Sequence, residues 1–300
     1  MNKLLLTGAT GFLGRNILNV LNEREYQITT LGNPSTDIAC DIRKEIPKFN
    51  RDFDYVIHAA GKAHVVPKSD SEKQEFHDVN VRGTLNLLKG IELSGIPKQF
   101  VFISSVSVYG QEYGNDIGEK FVLAAKDPYG LSKIKAEEIV TEWCCKHNVV
   151  CTILRLPLLV GNNPPGNLGA MINAIEKGFY FNVAGGKARK SMVLAEDVAA
   201  FIPKLAVVGG IYNLTDGVHP DFKELGIAIS KQKKKKPPFN LPLVIAKLMG
   251  YVGDLLGNKA PINSIKLKKI TSDLTFDDSK ARKLGWNPQS ILEYLKYNDL

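Results

Sequence analysis

The segment Lys3–Thr7, KLLLT, has the apolar run of a buried strand, and it passes directly into Gly8-Ala9-Thr10-Gly11-Phe12-Leu13-Gly14. Arg15–Glu23 follows, with Ile17, Leu18, Val20 and Leu21 at helical spacing. A strand that turns through glycines three apart into a helix narrows the possible folds sharply. The spacing permits a tight turn, lets backbone approach a pyrophosphate, and allows the helix to pack closely on the strand. The helix N-terminus then presents unpaired N–H groups and the positive end of its dipole to the phosphates. A phosphate cradle is the better reading than a glycine-rich turn without a ligand, and it assigns cofactor contacts to Gly8, Thr10, Gly11, Phe12, Leu13 and Gly14.

The pattern that opens here repeats. Gln27–Leu31, Tyr55–His58, Gln99–Ser104 and Val149–Leu154 read as further strands, with helical patterns over Asn80–Leu93 and Tyr129–Cys145. Alternating strands and helices imply an α/β fold: a Rossmann-type, doubly wound parallel sheet covered on both faces. Such a sheet binds ligands at the carboxyl ends of its strands, near the switch in strand order. After residue 155 the texture changes, with the loop composition of Gly161–Asn167 and the charged break Lys231–Pro238. The expected division is a dinucleotide-binding domain over 1–155, rejoined by 197–215 and 273–300. A smaller substrate-binding lobe takes 156–196 and 216–272.

Composition excludes other classes. The 300 residues are 44% hydrophobic and 23% charged, an ordinary globular balance rather than that of a disordered or fibrous chain. Lys and Arg outnumber Asp and Glu by 39 to 31, for a net charge of +8, which favours anionic partners without choosing among them. Cys40, Cys144, Cys145 and Cys151 form neither a CxxC pair nor a disulfide framework, so free thiols and no metal site are expected. The apolar start is too short for a signal peptide, and no window is long enough for a membrane span. A soluble, cytoplasmic protein is the expectation.

Tyr129 and Lys133 stand four apart at the start of a helical pattern, after Pro128, and so share a helix face. A phenol with a pKa near 10 is a poor base at neutral pH. A neighbouring ammonium and an oxidised nicotinamide would both favour phenolate and lower that value. Tyr129 then serves as general acid/base on a carbinol or carbonyl oxygen. The run Ser104-Ser105-Val106-Ser107 follows a strand and supplies a hydroxyl to hold that oxygen.

TGATGFLG, with the Tyr129/Lys133 pair downstream, resembles the extended short-chain dehydrogenase/reductase family, the NAD(P)-dependent nucleotide-sugar epimerase, dehydratase and 4-keto reductase group. The resemblance continues in order through HAAG (His58–Gly61), NVRGTLNLL from Asn80, RLPLLVG and ITSDLTFDDSKARKLGW. It implies a catalytic triad of Ser105, Tyr129 and Lys133. It implies adenine contacts from Asp41 and Ile42, a segment Ala59-Ala60-Gly61 passing under the cofactor, and a central-helix asparagine at Asn80. Tyr129 and Lys133 touch the cofactor as well. Substrate contacts fall on Ser105, His64, Asn167, Lys190 and Arg189. Lys190 stands where the family commonly has an arginine, and it supplies charge without a bidentate fork.

Two finer questions remain open at this level. The second strand ends in Gly32-Asn33, without the acid that holds a ribose 2′-hydroxyl in NAD enzymes. Asn33 is placed at the ribose, Ser35 and Thr36 offer hydroxyls to a 2′-phosphate, and the lean is to NADP over NAD. Dehydratases of the family carry an Asp-Glu pair after the serine or threonine, where this chain has Val106-Ser107, so dehydration is disfavoured. The remaining reactions are 4-keto reduction of a UDP-linked N-acetyl or 6-deoxy hexose for polysaccharide synthesis, preferred on length and the missing acid, and UDP-sugar 4-epimerisation with tightly held NAD. A non-catalytic dinucleotide sensor or RNA binder of the same fold usually loses the Tyr or Lys, and both are kept. Five of the positive charges lie in Lys231–Lys236 without interleaved aromatics, which argues against nucleic acid and leaves a weak membrane-surface contact as an option. A homodimer through the Asn80–Leu93 and Tyr129–Cys145 helices is implied by the resemblance alone. Cys144 and Cys145 are expected to pack, Trp143 and Trp286 to be structural, and Asp197 to cap or anchor a helix start.

Overall fold

The computed structural model describes residues 2–22, 26–63, 67–256 and 263–298. In chain order the first half contains β1 (Asn2–Thr7), α1 (Phe12–Asn22), β2 (Tyr26–Gly32), β3 (Ile38–Ala39), β4 (Tyr55–His58), α2 (Asp70–His77), α3 (Gly83–Ser94), β5 (Gln99–Ser105), β6 (Gly114–Ile117), α4 (Pro128–His147) and β7 (Val150–Leu156). The second half contains β8 (Leu158–Val160), α5 (Gly166–Glu176), β9 (Phe181–Val183), β10 (Met192–Leu194), α6 (Ala195–Val208), β11 (Gly210–Asn213), α7 (Phe222–Gln232), β12 (Phe239–Leu241), α8 (Leu243–Leu256), α9 (Ser264–Thr271), β13 (Leu274–Phe276), α10 (Ser279–Arg282) and α11 (Ile291–Tyr297).

Seven strands pair in parallel in the order β11-β7-β5-β4-β1-β2-β3, the doubly wound sheet expected from the alternation. The strand order reverses between β1 and β4, so the glycine loop after β1 and the segment after β4 meet at the switch point. Strand periodicity sends the three leucines of β1 to opposite layers. Leu4 and Leu6 pack with Ile17 and Leu21 of α1 and with Val198 and Ile202 of α6. Leu5 joins Leu87 and Ile91 of α3 and Val140 and Trp143 of α4.

Beyond the sheet, β8 pairs with β10, β9 with β12 and β6 with β13. A separate core gathers Leu168, Met171, Ile172, Leu225 and Ile229 of α5 and α7 with Ile291 and Leu295 of α11. The C-terminal segment divides between cores, because Ala281 and Trp286 pack instead with α1 and α6.

Several minor expectations are refined. Cys144 is buried, whereas Cys145, one residue on, faces outward. Trp143 and Trp286 are structural: their ring N–H groups donate to Glu92 Oε1 at 2.7 Å and to the Thr215 carbonyl at 2.9 Å. Asp197 does not cap its own helix. Its carboxylate accepts from the Gln289 N–H at 2.9 Å and so anchors the C-terminal segment. Among the described residues no helix is long and apolar enough to cross a membrane.

Candidate active site

The glycine loop closes as its spacing requires. Gly8 has φ +73°, and a Cβ there would lie 2.6 Å from the Ala60 nitrogen, so the loop touches the segment after β4 directly. A Cβ on Gly14 would fall 2.0 Å from the Gly8 carbonyl oxygen, which only glycine allows at this helix–strand approach. The turn is held by Gly11 N–H donating to the Gly8 carbonyl at 2.9 Å. Leu13 and Ala9 pack in the core, while Thr10 and Gly11 are exposed at the N-terminus of α1. Phe12 lies against Gly161, whose Cβ would meet its ring at 3.2 Å. The helix start and its free N–H groups fit a dinucleotide pyrophosphate.

Under this loop runs a chain of hydrogen bonds that links three elements. The β1–β4 register sets Thr7 beside His58. Ala60 N–H donates to Thr7 Oγ at 3.1 Å, and Thr7 Oγ lies 2.7 Å from His58 Nδ1. His58 Nε2 lies 2.9 Å from Thr84 Oγ, which donates to the Asn80 carbonyl at 2.7 Å. With the Thr84 proton committed to Asn80, His58 donates through Nε2 and accepts from Thr7 through Nδ1. Burial, with Lys133 adding to it, pushes His58 down to about 3, so the ring is neutral.

Asn80 sits in a widened helical turn, Asp78–Arg82, just before α3. Such turns recur at functional sites. Its amide accepts from the Lys62 N–H at 2.8 Å and donates to the Lys62 carbonyl at 3.1 Å. The same nitrogen donates to Ser132 Oγ at 2.8 Å, and Ser132 Oγ donates to the Tyr129 carbonyl at 2.7 Å. Asn80 therefore ties the segment after Ala59-Ala60-Gly61 to the first turn of α4. A Cβ on Gly61 would sit 3.1 Å from both Asn80 Oδ1 and Lys133 Nζ, so glycine leaves room for those two groups.

Helix α4 starts with Asp127 accepting from the Gly130 N–H at 3.0 Å and with Pro128 in the first turn, a strong N-terminal signal. Tyr129 and Lys133 thereby share one face. Lys133 is buried, donates to the Ile103 carbonyl at 2.8 Å and lies 4.7 Å from the Phe102 ring centre. Burial pushes its ammonium down to about 8, with Glu137 pulling the other way. Ser105, at the end of β5, donates to Ser107 Oγ at 3.1 Å and stands near enough to Tyr129 to pull the phenol's pKa down. The structure thus brings Ser105, Tyr129 and Lys133 together. The Tyr129 phenol differs from expectation: its pKa is raised, because burial outweighs the lowering by Ser105 and Asp127 adds to the rise.

Behind this trio lies a buried ion pair that the sequence did not single out. The β5–β7 register sets Ser104 beside Arg155. Arg155 donates to both oxygens of Glu137, closest at 2.7 Å, and to Tyr109 OH at 3.2 Å; Ser104 Oγ donates to Glu137 Oε1. Glu137 follows Lys133 by one helical turn, and that i, i+4 spacing was the signal available in the sequence.

At the other end of the loop, Asn33 is exposed and reaches Thr10 Oγ at 3.5 Å. Thr36 is less available than expected, since its hydroxyl is engaged with the carbonyls of Asn33 and Ile38. Ser35 bonds Asn33 Oδ1 at 2.7 Å. Arg15 donates to the Thr10 carbonyl at 2.7 Å, which sets its guanidinium beside the loop. Asp37 is turned back onto Thr30, whose N–H and hydroxyl both donate to it at 2.8 Å. The Asp41 carboxylate is gripped by Arg43 at 2.8 and 2.7 Å, which lowers its pKa, and the Ile42 side chain is buried against α3.

Three of the other predicted substrate residues, Asn167, Arg189 and Lys190, come from the segment between β8 and β10. Asn167 is exposed in the first turn of α5. Lys190 donates to the Ser272 carbonyl at 2.9 Å, and Arg189 to the carbonyls of His219 and Val218 at 3.1 and 2.5 Å. Both cations are therefore already engaged by backbone. His64 lies outside the described residues.

Residues 4–214 match the model of the NAD dependent epimerase/dehydratase family. The chain is 30% identical to the N-acetyl-alpha-D-glucosaminyl-diphospho-ditrans,octacis-undecaprenol 4-epimerase of Escherichia coli O157:H7, over 95% of this chain and 90% of that protein. It is 32% identical to the GDP-6-deoxy-D-mannose reductase of Pseudomonas aeruginosa, over 47% of each. Among solved structures, RMD from Pseudomonas aeruginosa complexed with NADPH superposes with a TM-score of 0.72 at 21% identity, covering 99% of this chain and 97% of that one. The chain belongs to the NAD dependent epimerase/dehydratase family, the extended short-chain dehydrogenases/reductases, and is an NAD(P)-dependent enzyme of that family.

Proposed function

We propose that the enzyme transfers hydride at C4 of a hexose carried on a diphosphate, and that its reaction is reduction of a 4-keto sugar such as a UDP-linked N-acetyl or 6-deoxy hexose. The observation that carries the reading is the meeting of Ser105, Tyr129 and Lys133 beside the glycine loop at the carboxyl ends of the strands. Gly8–Gly14, Ala59–Gly61, Asn80 and Asp41-Ile42 would hold the dinucleotide, whose nicotinamide would supply hydride to the C4 carbon. Tyr129, with its pKa above the ordinary value, is protonated and donates its proton to the C4 oxygen while Ser105 holds that oxygen. Lys133, on the same face of α4, carries its charge into the buried end of the site at the Ile103 carbonyl.

The end of β2 supports NADP over NAD. The end of β2, Gly32-Asn33, carries no acid, Asp37 beyond it is turned onto Thr30, and Arg15 beside Thr10 would lend its charge to a 2′-phosphate. The substrate diphosphate is assigned to the lobe near Asn167, Arg189 and Lys190. A cytoplasmic homodimer working in polysaccharide synthesis fits the family, and Leu85 of α3 and Leu131 of α4 present apolar surface for such pairing.

A second reading is 4-epimerisation with retained NAD, and the near-full-length likeness to the Escherichia coli 4-epimerase favours it. Nucleotide analysis of the purified protein separates the two. Reduction predicts exchangeable NADPH that is consumed by a UDP-4-keto-6-deoxy sugar. Stoichiometric bound NAD with no net NADPH oxidation would overturn reduction in favour of epimerisation.

A further inference from the structure

Helix α8 is built inside out for a helix of a globular lobe. Its inward positions are Ala246, Gly250 and Gly253, three small residues. Ala246 is fully buried beside Val183 and Leu267, and a Cβ on Gly250 would lie 3.6 Å from Leu267. The opposite face carries the large apolar side chains: Val244 is 71% exposed, Leu248 61%, Tyr251 64% and Val252 57%. At 100° per residue these four form one stripe directly opposite the small-residue face. A core helix places such residues inward, so most of this stripe is left uncovered by the described residues. Contiguous apolar surface of this kind marks an interaction site.

The charge of the segment that carries the stripe says which. Six lysines and a single acid, Asp254, fall between residues 231 and 256. Asp254 is turned onto α9, where it accepts from the Ser264 N–H at 3.0 Å. Lys231, Lys234, Lys235 and Lys236 are exposed and pair with no carboxylate among the described residues. Lys236 precedes α8 by seven residues, a chain reach of at most about 24 Å, and Lys247 is exposed on the flank of the stripe.

We infer that α8 lies in the plane of an anionic lipid surface, with Val244, Leu248, Tyr251 and Val252 entering the headgroup–acyl boundary and the adjoining lysines meeting acidic headgroups. An apolar stripe with an aromatic member, a cationic margin and too little length to span fits an interfacial helix. A protein partner would need acidic groups ringed around an apolar centre, whereas an anionic bilayer supplies both over its whole surface. The inference holds whichever reaction the site performs.

The test is co-sedimentation of the full chain with phosphatidylcholine vesicles, with and without phosphatidylglycerol. Binding is expected only where phosphatidylglycerol is present. Val244→Gln with Leu248→Gln lowers the bound-to-free ratio about tenfold or more, with circular dichroism unchanged because both side chains point outward. Lys234→Gln, Lys235→Gln and Lys236→Gln together also lower it about tenfold and remove the preference for phosphatidylglycerol. The inference is overturned if the chain stays in the supernatant, or if neither variant changes binding. It is equally overturned if sedimentation velocity shows a dimer that the Val244→Gln/Leu248→Gln variant separates, since the stripe would then face a second copy.

Discussion

Asn80 donates from its side-chain nitrogen to Ser132 Oγ at 2.8 Å, joining the widened turn before α3 to the helix that carries Tyr129 and Lys133. Because the same amide brackets Lys62 from both its N–H and its carbonyl, one side chain positions the segment after β4 and the start of α4 together.

Asn80→Ala is therefore expected to lower kcat by about tenfold to a hundredfold, the usual cost of small misplacement, with a much smaller change in KM. Steady-state kinetics with dinucleotide saturating checks it. An unchanged kcat with a raised KM would place Asn80 outside this positioning role.

Lys133 loses its ammonium as pH rises through about 8. The expected result is a falling alkaline limb in kcat/KM centred near that value, since this profile reports groups of the free enzyme. Glu137 pulls the Lys133 pKa upward, so Glu137→Gln moves the limb to lower pH. It also leaves Arg155 buried without its partner, which costs about 3–5 kcal/mol of stability. A limb that stays in place in a folded variant would separate Glu137 from Lys133.

His58 is neutral in the folded protein and titrates near 3, below the ordinary value of 6.5. The unfolded chain therefore binds the extra proton between those values. The His58 contribution to stability is full above about pH 6.5 and declines as pH falls toward 3, by at most about 1.4 kcal/mol per pH unit. Thermal melts of the wild type and His58→Gln should converge as the solution is acidified. Parallel melting curves over that range would contradict the buried neutral ring.

Arg15 should matter to one cofactor only. Arg15→Ala is expected to weaken NADPH binding about tenfold, the size of one charge-assisted hydrogen bond, and to leave NADH binding almost unchanged. Fluorescence titration with the two dinucleotides reads the difference. Equal losses for both would remove the argument for NADP.

Much of this candidate site is legible in the amino-acid sequence. The glycine loop, Tyr129, Lys133 and Ser105 announce themselves because each depends on spacing within one element and its immediate boundary. The His58 chain and the Glu137–Arg155 pair do not, because they depend on strand register: Thr7 meets His58, and Ser104 meets Arg155, only once β1, β4, β5 and β7 are aligned. The strands β3, β9, β12 and β13 have two or three residues each, too few for alternation to emerge. In α8 the apolar period was visible, but the period cannot say which face turns inward. The glycines and Ala246 decide that through packing.

In the proposed reaction Tyr129 gives its proton to the C4 oxygen as hydride reaches the C4 carbon. The most direct test is NADPH absorbance in a single turnover with a UDP-4-keto-6-deoxy sugar, comparing the wild type with Tyr129→Phe. The wild type should oxidise one equivalent of NADPH. Tyr129→Phe should bind NADPH as tightly yet react about a hundredfold to ten-thousandfold more slowly, the range for loss of a general acid. Full activity in Tyr129→Phe would contradict the account.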